Sequence, residues 1–581
     1  MGGSGIEVTV SLFTALRRFR YPDTRRVLWA DAICINQGDN NERSSQIQLM
    51  GRVYKACWEV LIWLGEEDDF RFDPRRILND LSDHRHEVAR FEEYIKQQNI
   101  QHVAPLKTAL PSLIDPKMPL DIPAAINLLQ LFADGKHLYE LPIFQIEAFP
   151  KFAICPRWYN VCSSLIHFLS RPWFKRLWTI QEAVLPPKAI LQLGKSQVDL
   201  EILFEADKSI IKHSVFSDCC TPLCGLLWEA GRDGQDLLSV SFGRIRMTEL
   251  SEARFFSQQQ RAASFTKGMT VPLRIARERA VTDPHDCIYG LLGIFPNIMP
   301  ETDFPDYDID IACLFSRCTK RLFEETSSLE RFRDIHHRPS DPYNLPSWCL
   351  NWNQPQELFM DEVYNSCGAF QQYRVISCSQ HDRVLAVEAT FLGKITSINY
   401  FTKSSQHIGK FTNAIMSWQT SASEVAGITG DAFWKILFLD RPVVNRNRKR
   451  NPNQMPEMYP NDFFVVERWW KWLLTLDPTK HYRTYTPYPD EAFEDCFAVF
   501  DCIHAAETST ALYSTNTELV GITRSGIWED DSICVCKGSP IPLILRPCDG
   551  GMYSLVGVSY VHVIMDGSAT VDAKWETVNL C

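Results

Sequence analysis

The sequence predicts a multidomain chain with an open, parallel α/β domain first, a helical region next and a β-rich region last. Three observations carry this prediction: a strand–loop–helix–strand pattern over 26–66, helical spacing over much of 200–300, and short alternating runs between turn residues over 519–563. With 581 residues and 45% hydrophobic content, the chain can bury sizeable cores in roughly three to four domains. The predicted boundaries are 1–200 for the α/β domain with a helical insertion at about 66–150, 201–350 for the helical region, and 351–581 for the mixed, β-rich region.

The first elements follow from local patterns. Segment 8–20 starts as a short extended run and continues with apolar residues at helical spacing. The nearly unbroken apolar run 27–35 favours a strand that is covered on both faces. Turn formers follow, and Asp39 with Glu42 three residues later predicts a capped, amphipathic helix. A second apolar run, 60–64, predicts another strand, so the natural interpretation is a right-handed crossover between two parallel strands.

Ordered patterns return after a proline-punctuated insertion. Helical spacing over 161–169 leads into a segment where Pro172 suits the first turn of a helix. Trp178 and Glu182 are four residues apart and therefore share a helix face. A further strand is predicted over 189–193.

The remaining two thirds of the chain carry helical segments and then mostly strands. A buried helix is predicted within 282–293, capped by Asp283 or Asp286. Two further helices are predicted over 432–439 and 468–476. The predicted strands of the C-terminal region are 384–387, 393–398, 519–523, 532–536, 542–546 and 553–563.

Composition limits the classes of function. The net charge of −11 argues against a nucleic-acid-binding surface over the whole molecule. The N-terminus lacks a signal-peptide pattern, and no stretch approaches the ~20 apolar residues of a membrane span. We therefore expect a cytoplasmic protein without nucleic-acid or membrane partners. The motifs of phosphate-binding loops, hydrolase nucleophile elbows and zinc proteases are absent, so we predict no bound cofactor.

The nineteen cysteines are scattered, and several, such as Cys34, Cys57 and Cys287, lie inside apolar patterns. Buried thiols explain them better than disulfides. The tightest cluster consists of His213, Cys219, Cys220 and Cys224, and it lacks the paired spacing of a structural zinc site. We therefore predict no metal site.

The 26–66 stretch also resembles the core signature of the HET (heterokaryon incompatibility) domain of filamentous fungi. The matching residues are Leu28-Trp29-Ala30-Asp31-Ala32-Ile33-Cys34-Ile35-Asn36-Gln37, then Asp39, Glu42-Arg43, Gln46, Met50, Tyr54 and Trp63-Leu64-Gly65. Four later stretches resemble further elements of such proteins: 171–183, 282–293, Asp306-Tyr307 and 345–348. Segment 556–567 resembles the β-module that commonly follows a HET domain.

The resemblance implies a first domain similar to TIR domains, which have a flavodoxin-like parallel sheet with ligands beyond the carboxyl ends of its strands. Some TIR domains cleave the nicotinamide–ribose bond of NAD with a glutamate in a Trp-x-x-x-Glu-like context, and Trp178 to Glu182 has that spacing. Glu182 is therefore the candidate catalytic residue, which would stabilise an oxocarbenium-like ribosyl centre of NAD as substrate. The candidate substrate-binding residues are Asp31, Asn36, Gln37, Asp39, Glu42, Arg176 and Trp178.

Structural explanations compete with these roles. Glu182 would hold two helices together if it paired with Arg171 or Arg176. Asp39 and Glu42 would serve only as the helix cap.

For Asp31 too, a structural role competes with a functional one. Inside an apolar strand its charge would require a partner, because an unpaired buried charge is costly. The candidate partners are Arg26, Arg43 and Arg52.

The resemblance implies a role in fungal non-self recognition and programmed cell death, with two molecular hypotheses. The domain either consumes NAD through Glu182 or acts without catalysis, through self-association or protein partners. HET domains usually begin with a strand carrying Ser-Tyr-x-Trp-Gly, whereas only the short run 6–10 precedes the matching elements here. A truncated start, another segment in the gap and a degenerate domain all remain open.

Overall fold

The computed structural model describes most of the chain in two compact units. The described residues are 6–21, 23–67, 120–137, 161, 164–165, 167–214, 247–258, 270–300, 302–335, 341–354, 364–370, 372–373, 383–401, 408–443, 458–480, 492–493, 496–497, 510–524 and 526–581. The first unit spans 1–264, 271–297 and 301–308, and the second spans 265–270, 298–300 and 309–581. Most of the predicted insertion at 66–150 and the cysteines at 219, 220 and 224 lie outside the described residues.

Helices dominate the first unit. They are α1 (Val10–Phe19), α2 (Asp31–Cys34), α3 (Asn40–Ala56), α4 (Ile122–Ala133), α5 (Thr179–Val184), α6 (Leu200–Ser214), α7 (Met247–Gln258), α8 (Thr270–Glu278) and α9 (Asp286–Tyr289), with a 3₁₀ turn at Pro172–Lys175 before α5. The described residues of 161–169 are helical, as predicted.

A small mixed sheet lies among these helices. Its strands, in spatial order, are β1 (Val60–Trp63), β2 (Ala189–Leu193) and β3 (Ser196–Asp199). β1 and β2 are parallel, whereas β2 and β3 form an antiparallel hairpin. The strand predictions for 60–64 and 189–193 are therefore confirmed, although the parallel partner of β1 comes from far along the chain.

The predicted strand 27–35 is wrong. Its centre forms the short helix α2, in which the Asp31 carboxylate accepts a hydrogen bond from the Ala32 amide (2.7 Å). The run is not covered: Val27 is 97% exposed, and Leu28, Trp29 and Ile33 are exposed as well. A buried strand requires neighbouring strands for its backbone groups. Among the described residues β1 pairs with β2 instead, so the expected crossover does not form.

Helix α3 confirms the capping prediction. Asp39 accepts hydrogen bonds from the amides of Asn41 (2.9 Å) and Glu42 (3.2 Å), while the Glu42 carboxylate accepts one from the Asn36 amide (3.1 Å). These bonds satisfy donors that the first turn of a helix leaves free. The cap thus fixes where α3 starts.

The second unit contains a helical group and a β-barrel. Its helices are α10 (Ile311–Thr326), α11 (Ile408–Ala426), α12 (Asp431–Leu437) and α13 (Pro460–Leu473). Its strands are β4 (Leu385–Phe401), β5 (Thr510–Thr515), β6 (Val520–Thr523), β7 (Ser532–Cys536), β8 (Leu543–Pro547), β9 (Tyr553–Val558), β10 (Tyr560–Val561) and β11 (Glu576–Leu580). The strands and helices predicted in this region are present, and 384–387 and 393–398 belong to one long strand.

The long strand β4 closes the barrel. The eight strands follow the order β10-β6-β5-β4-β11-β9-β8-β7, and β7 pairs back with β4. The register of β4 shifts between Phe391 and Gly393, opposite β7, and between Ile395 and Ser397, opposite β5. Such irregularities bend a strand, which lets β4 serve two parts of the sheet. The interior is apolar, and it includes Ile395, Ala511, Tyr513, Ile533, Val535, Ile544, Val556 and Val561.

Two further sequence predictions concern membranes and thiols. Within the described ranges, every helix is too short or too polar to cross a lipid bilayer. The cysteines of those ranges are free thiols, with Cys287 buried but Cys34 exposed at the surface of α2. The expectation that Cys34 is buried is therefore wrong, for the same reason as the strand that contains it.

Candidate functional site

Glu182 lies in α5, a short helix that is anchored by the turn before it. Pro172 opens that 3₁₀ turn, and the Thr179 hydroxyl donates to the carbonyls of Trp173 (2.8 Å) and Arg176 (2.6 Å). These contacts tie the start of α5 to the preceding turn. The Glu182 side chain is thereby held on a rigid element and is only partly exposed.

The Glu182 carboxylate is fixed at one oxygen. The Trp173 indole N–H donates to Glu182 Oε2 at 2.8 Å, whereas Oε1 accepts no hydrogen bond from the described residues. Loss of solvent raises the pKa of Glu182, an effect opposed by the Trp173 hydrogen bond. The Asp31 carboxylate raises this pKa further, and the Arg176 guanidinium lowers it. Among the described residues, the site therefore presents a partly buried carboxylate of which Oε2 alone accepts a hydrogen bond.

The structural explanation through Arg171 is wrong. Arg171 Nη2 donates to the carbonyl oxygens of Glu66 (2.9 Å) and Glu67 (3.3 Å) and contacts His167 Nε2 (2.6 Å). Arg171 thus holds the chain after β1. Arg176 influences Glu182 through its charge, which lowers the pKa of Glu182, and the described part of the chain shows no ion pair between these two side chains.

Tyr54 completes the surroundings of Glu182. This buried residue of α3 has a pKa raised well above its ordinary value by desolvation and then by the negative charges of Glu182 and Asp31. Its ring meets Trp29 edge-on, with 6.2 Å between ring centroids. Sequence reasoning named Tyr54 as part of the HET-like signature but gave it no role in a site. The signal that it belongs to the site is tertiary, because α2, α3 and α5 converge here.

Trp178 contacts a second buried carboxyl group. Its side chain lies close enough to Asp286 to influence that carboxyl group, which accepts a hydrogen bond from the Tyr307 hydroxyl (2.7 Å). Desolvation raises the pKa of Asp286, and the Tyr307 hydroxyl and the Trp178 side chain oppose the rise. Arg43 lies over the Tyr307 ring, 3.7 Å from its centroid, and its guanidinium is 3.8 Å from the carboxylate of Asp283. This second cluster clamps α3 and α9 around the 302–308 segment.

The polar loop before α3 satisfies its own backbone. Asn36 Oδ1 accepts a hydrogen bond from the Gly38 amide (3.2 Å), and Gln37 Nε2 donates to the Asp31 carbonyl (3.3 Å). Asp39 and Glu42 form the helix cap described above. The ligand-binding roles of all four residues stay predictions. The side chains of Asn36 and Gln37 are exposed despite these contacts, so a ligand could reach them.

The structure thus brings together Asp31, Arg176 and Glu182, with Tyr54 and Trp173 added. Asp31 is exposed, and two of the three arginines proposed as its partners act elsewhere: Arg26 pairs with Glu59 (2.9 Å) and Arg43 belongs to the second cluster. Asp31 is therefore free of the buried ion pair expected from the sequence. Within the described ranges no group of three or more metal-ligating side chains is found.

Comparisons with known proteins agree with this organisation. A family model described as Heterokaryon incompatibility protein (HET) matches residues 1–182, and one described as Het-6 beta-barrel domain matches residues 476–580. The chain is also 24% identical to the Neurospora crassa protein named "Heterokaryon incompatibility protein 6, OR allele", over 98% of this chain and 86% of that protein. No solved structure matches the chain significantly.

Proposed function

The chain is a fungal HET-domain protein with a Het-6 barrel, and we propose that it acts in heterokaryon incompatibility, as an effector of non-self recognition and cell death. The name of its Neurospora relative supports this role. The site lies inside the matched HET segment, which ends at Glu182. The proposed activity therefore belongs to the HET domain.

The proposed molecular activity is cleavage of the nicotinamide–ribose bond of NAD. The observation that carries it is the partly buried Glu182 carboxylate, anchored at Oε2 by Trp173 while Oε1 accepts no hydrogen bond from the described residues. A TIR-like sheet would share the parallel pairing of β1 with β2, although β3 runs antiparallel to β2 in this chain. A carboxylate in such surroundings stabilises positive charge more strongly than one in water.

The bond changes of this reaction balance without a cofactor. The bond between ribose C1′ and the nicotinamide nitrogen breaks, and its electron pair leaves with neutral nicotinamide. The positive charge that develops at C1′ faces the ionised Glu182. Water then adds to C1′ and gives up a proton, which Glu182 can accept as a general base. The products are nicotinamide and ADP-ribose.

The experiment that tests this activity measures nicotinamide release from NAD by the purified full-length chain. Glu182→Ala and Glu182→Gln remove the carboxylate, and both are expected to lower the rate by at least ~100-fold, the usual contribution of a positioned acid–base group. Glu424→Gln is the matched control, since Glu424 is exposed on α11 in the second unit. Release that survives Glu182→Gln would reject Glu182, and no release under any condition would reject the activity.

A second candidate function, signalling by self-association, is favoured by one exposed surface. Val27 (97% exposed) and Trp58 (90% exposed) each adjoin a member of the Arg26–Glu59 ion pair, which brings their two segments together. Large exposed apolar side chains beside charges of both signs suit a two-fold contact between identical copies. In such a contact the apolar residues of the two copies cover one another, and the positive group of each copy faces the negative group of the other. Tyr21, which stacks on Arg26, extends this surface.

The test of self-association is the oligomeric state of the chain in solution. Sedimentation velocity should show concentration-dependent dimers that Trp58→Ser abolishes. Phe464→Ser serves as the control, because Phe464 is also exposed (60%) but lies in the second unit. A monomer at every concentration, or dimers that survive Trp58→Ser, would reject this surface.

A further inference from the structure

Trp173 is a buried side chain whose ring, backbone carbonyl and indole N–H each have an identified partner. It lies in the 3₁₀ turn before α5, is 9% exposed, and meets the Phe174 ring edge-on, with 5.0 Å between centroids. Its carbonyl oxygen accepts the Thr179 hydroxyl, so its backbone is tied to the first residue of α5. The indole N–H therefore has a fixed direction, and that direction ends at Glu182 Oε2.

We propose that Trp173 is a positioning residue, whose indole N–H holds Glu182 Oε2 and so determines which oxygen of the carboxylate faces a ligand. The part of this inference that concerns the reaction rests on the proposed function. The hydrogen bond and its effect on the ionisation of Glu182 do not, and they can be measured separately. A tryptophan that only filled the core could satisfy its N–H with a backbone carbonyl, as Trp348 does with that of Arg383 (3.2 Å).

The hydrogen bond from Trp173 to Glu182 affects the ionisation of the carboxylate, which a packing contact alone would not do. A hydrogen bond to an ionised carboxylate is stronger than one to its neutral form, so it favours ionisation. At Glu182 it opposes the desolvation and the Asp31 charge, both of which raise the pKa. The Arg176 guanidinium acts in the same direction as Trp173. Removal of the indole N–H should therefore raise the pKa of Glu182 further, whereas removal of a core ring elsewhere should leave it unchanged.

The decisive experiment uses ¹⁹F NMR of the full-length chain labelled with 5-fluorotryptophan. The resonance lost in Trp173→Phe, or in Trp173→Tyr if the first variant does not fold, identifies Trp173. We expect this resonance to shift with pH as Glu182 ionises and to stop shifting in Glu182→Gln. Trp348 is the matched internal control, because its indole N–H donates to the Arg383 carbonyl (3.2 Å), which does not titrate. A Trp173 resonance that does not titrate, or that still titrates in Glu182→Gln, would overturn the proposal.

Activity provides the second measurement. If the chain releases nicotinamide, Trp173→Phe should shift the acidic limb of the plot of rate against pH to higher pH by about 1 unit, as expected for the loss of one hydrogen bond to a charged group. An unchanged limb would overturn the positioning role. If the chain releases no nicotinamide but the Trp173 resonance follows Glu182, the proposed activity fails while the positioning of the carboxylate stands.

Discussion

Gly51 in the middle of α3 offers a sharp test of how the first unit is packed. Glycine is a poor residue for a helix interior, and replacing it with alanine normally stabilises a helix by ~1 kcal/mol. Here a Cβ on Gly51 would lie 2.8 Å from the Cα and 3.3 Å from the carbonyl oxygen of Gly293. Both are backbone atoms of another segment, so no flexible side chain can move aside. The close approach explains why the helix carries glycine at this position.

The expected result of Gly51→Ala is a net loss of stability. Overpacking of a dense core costs about 1–3 kcal/mol. The gain in helix propensity offsets ~1 kcal/mol of this cost. Because the clash at Gly51 involves backbone atoms that cannot move aside, we expect α3 to lose up to about 2 kcal/mol. Hydrogen exchange followed by mass spectrometry on peptides from 40–56 measures this locally, which matters because a chain of two units need not unfold in one step. Gln48→Ala, at an exposed position of the same helix, is the control and should change little. Protection in Gly51→Ala equal to or above that of the control would refute the close approach of α3 to Gly293.

Two other predictions concern charges away from the site. Burial raises the pKa of Asp207 to about 6, so the folded chain loses stability as the pH rises from the ordinary carboxyl pKa through about 6. Asp207→Asn should therefore raise the free energy of unfolding at pH 8 by ~1–3 kcal/mol and leave it unchanged at pH 4. Thermal unfolding at the two pH values measures this difference. Asp531 is buried and binds Arg546 through both oxygens (2.8 Å each), so Asp531→Asn should destabilise the barrel by ~2–4 kcal/mol in calorimetry. Lys471→Gln, which breaks the exposed ion pair with Glu467, should cost less than ~0.5 kcal/mol; an equal loss in both variants would contradict the role of burial.

The C-terminal barrel shows how far a sequence pattern can lead. The predicted strands over 519–523, 532–536 and 542–546 match β6, β7 and β8 within one residue at either end. Turn residues mark where such strands stop, and this signal is local. That β4 closes the barrel could not be predicted, because the pairing of β4 with β7 joins residues more than 130 positions apart. Pairing partners depend on the whole sheet.

For the 27–35 run, in contrast, the sequence pattern gave a wrong prediction. Its apolar composition predicted a buried strand, but Val27 is almost fully exposed and Asp31–Cys34 forms a helical turn. Composition describes which surroundings a segment prefers, and it cannot ensure that the surroundings are present. Without a neighbouring strand, the backbone around Asp31 makes local hydrogen bonds instead.

For the candidate site, the sequence alone determined which residues are the candidates, above all Glu182, together with the capped start of α3. Both signals are local: a motif spacing in one case and a carboxylate beside free amides in the other. Only the tertiary structure decided what surrounds Glu182. Trp173 and not Arg171 became its partner, and Tyr54 joined from a helix more than a hundred residues earlier. The physical reason is that hydrogen-bond direction and desolvation depend on atoms that the fold brings together, and a one-dimensional pattern does not contain those distances.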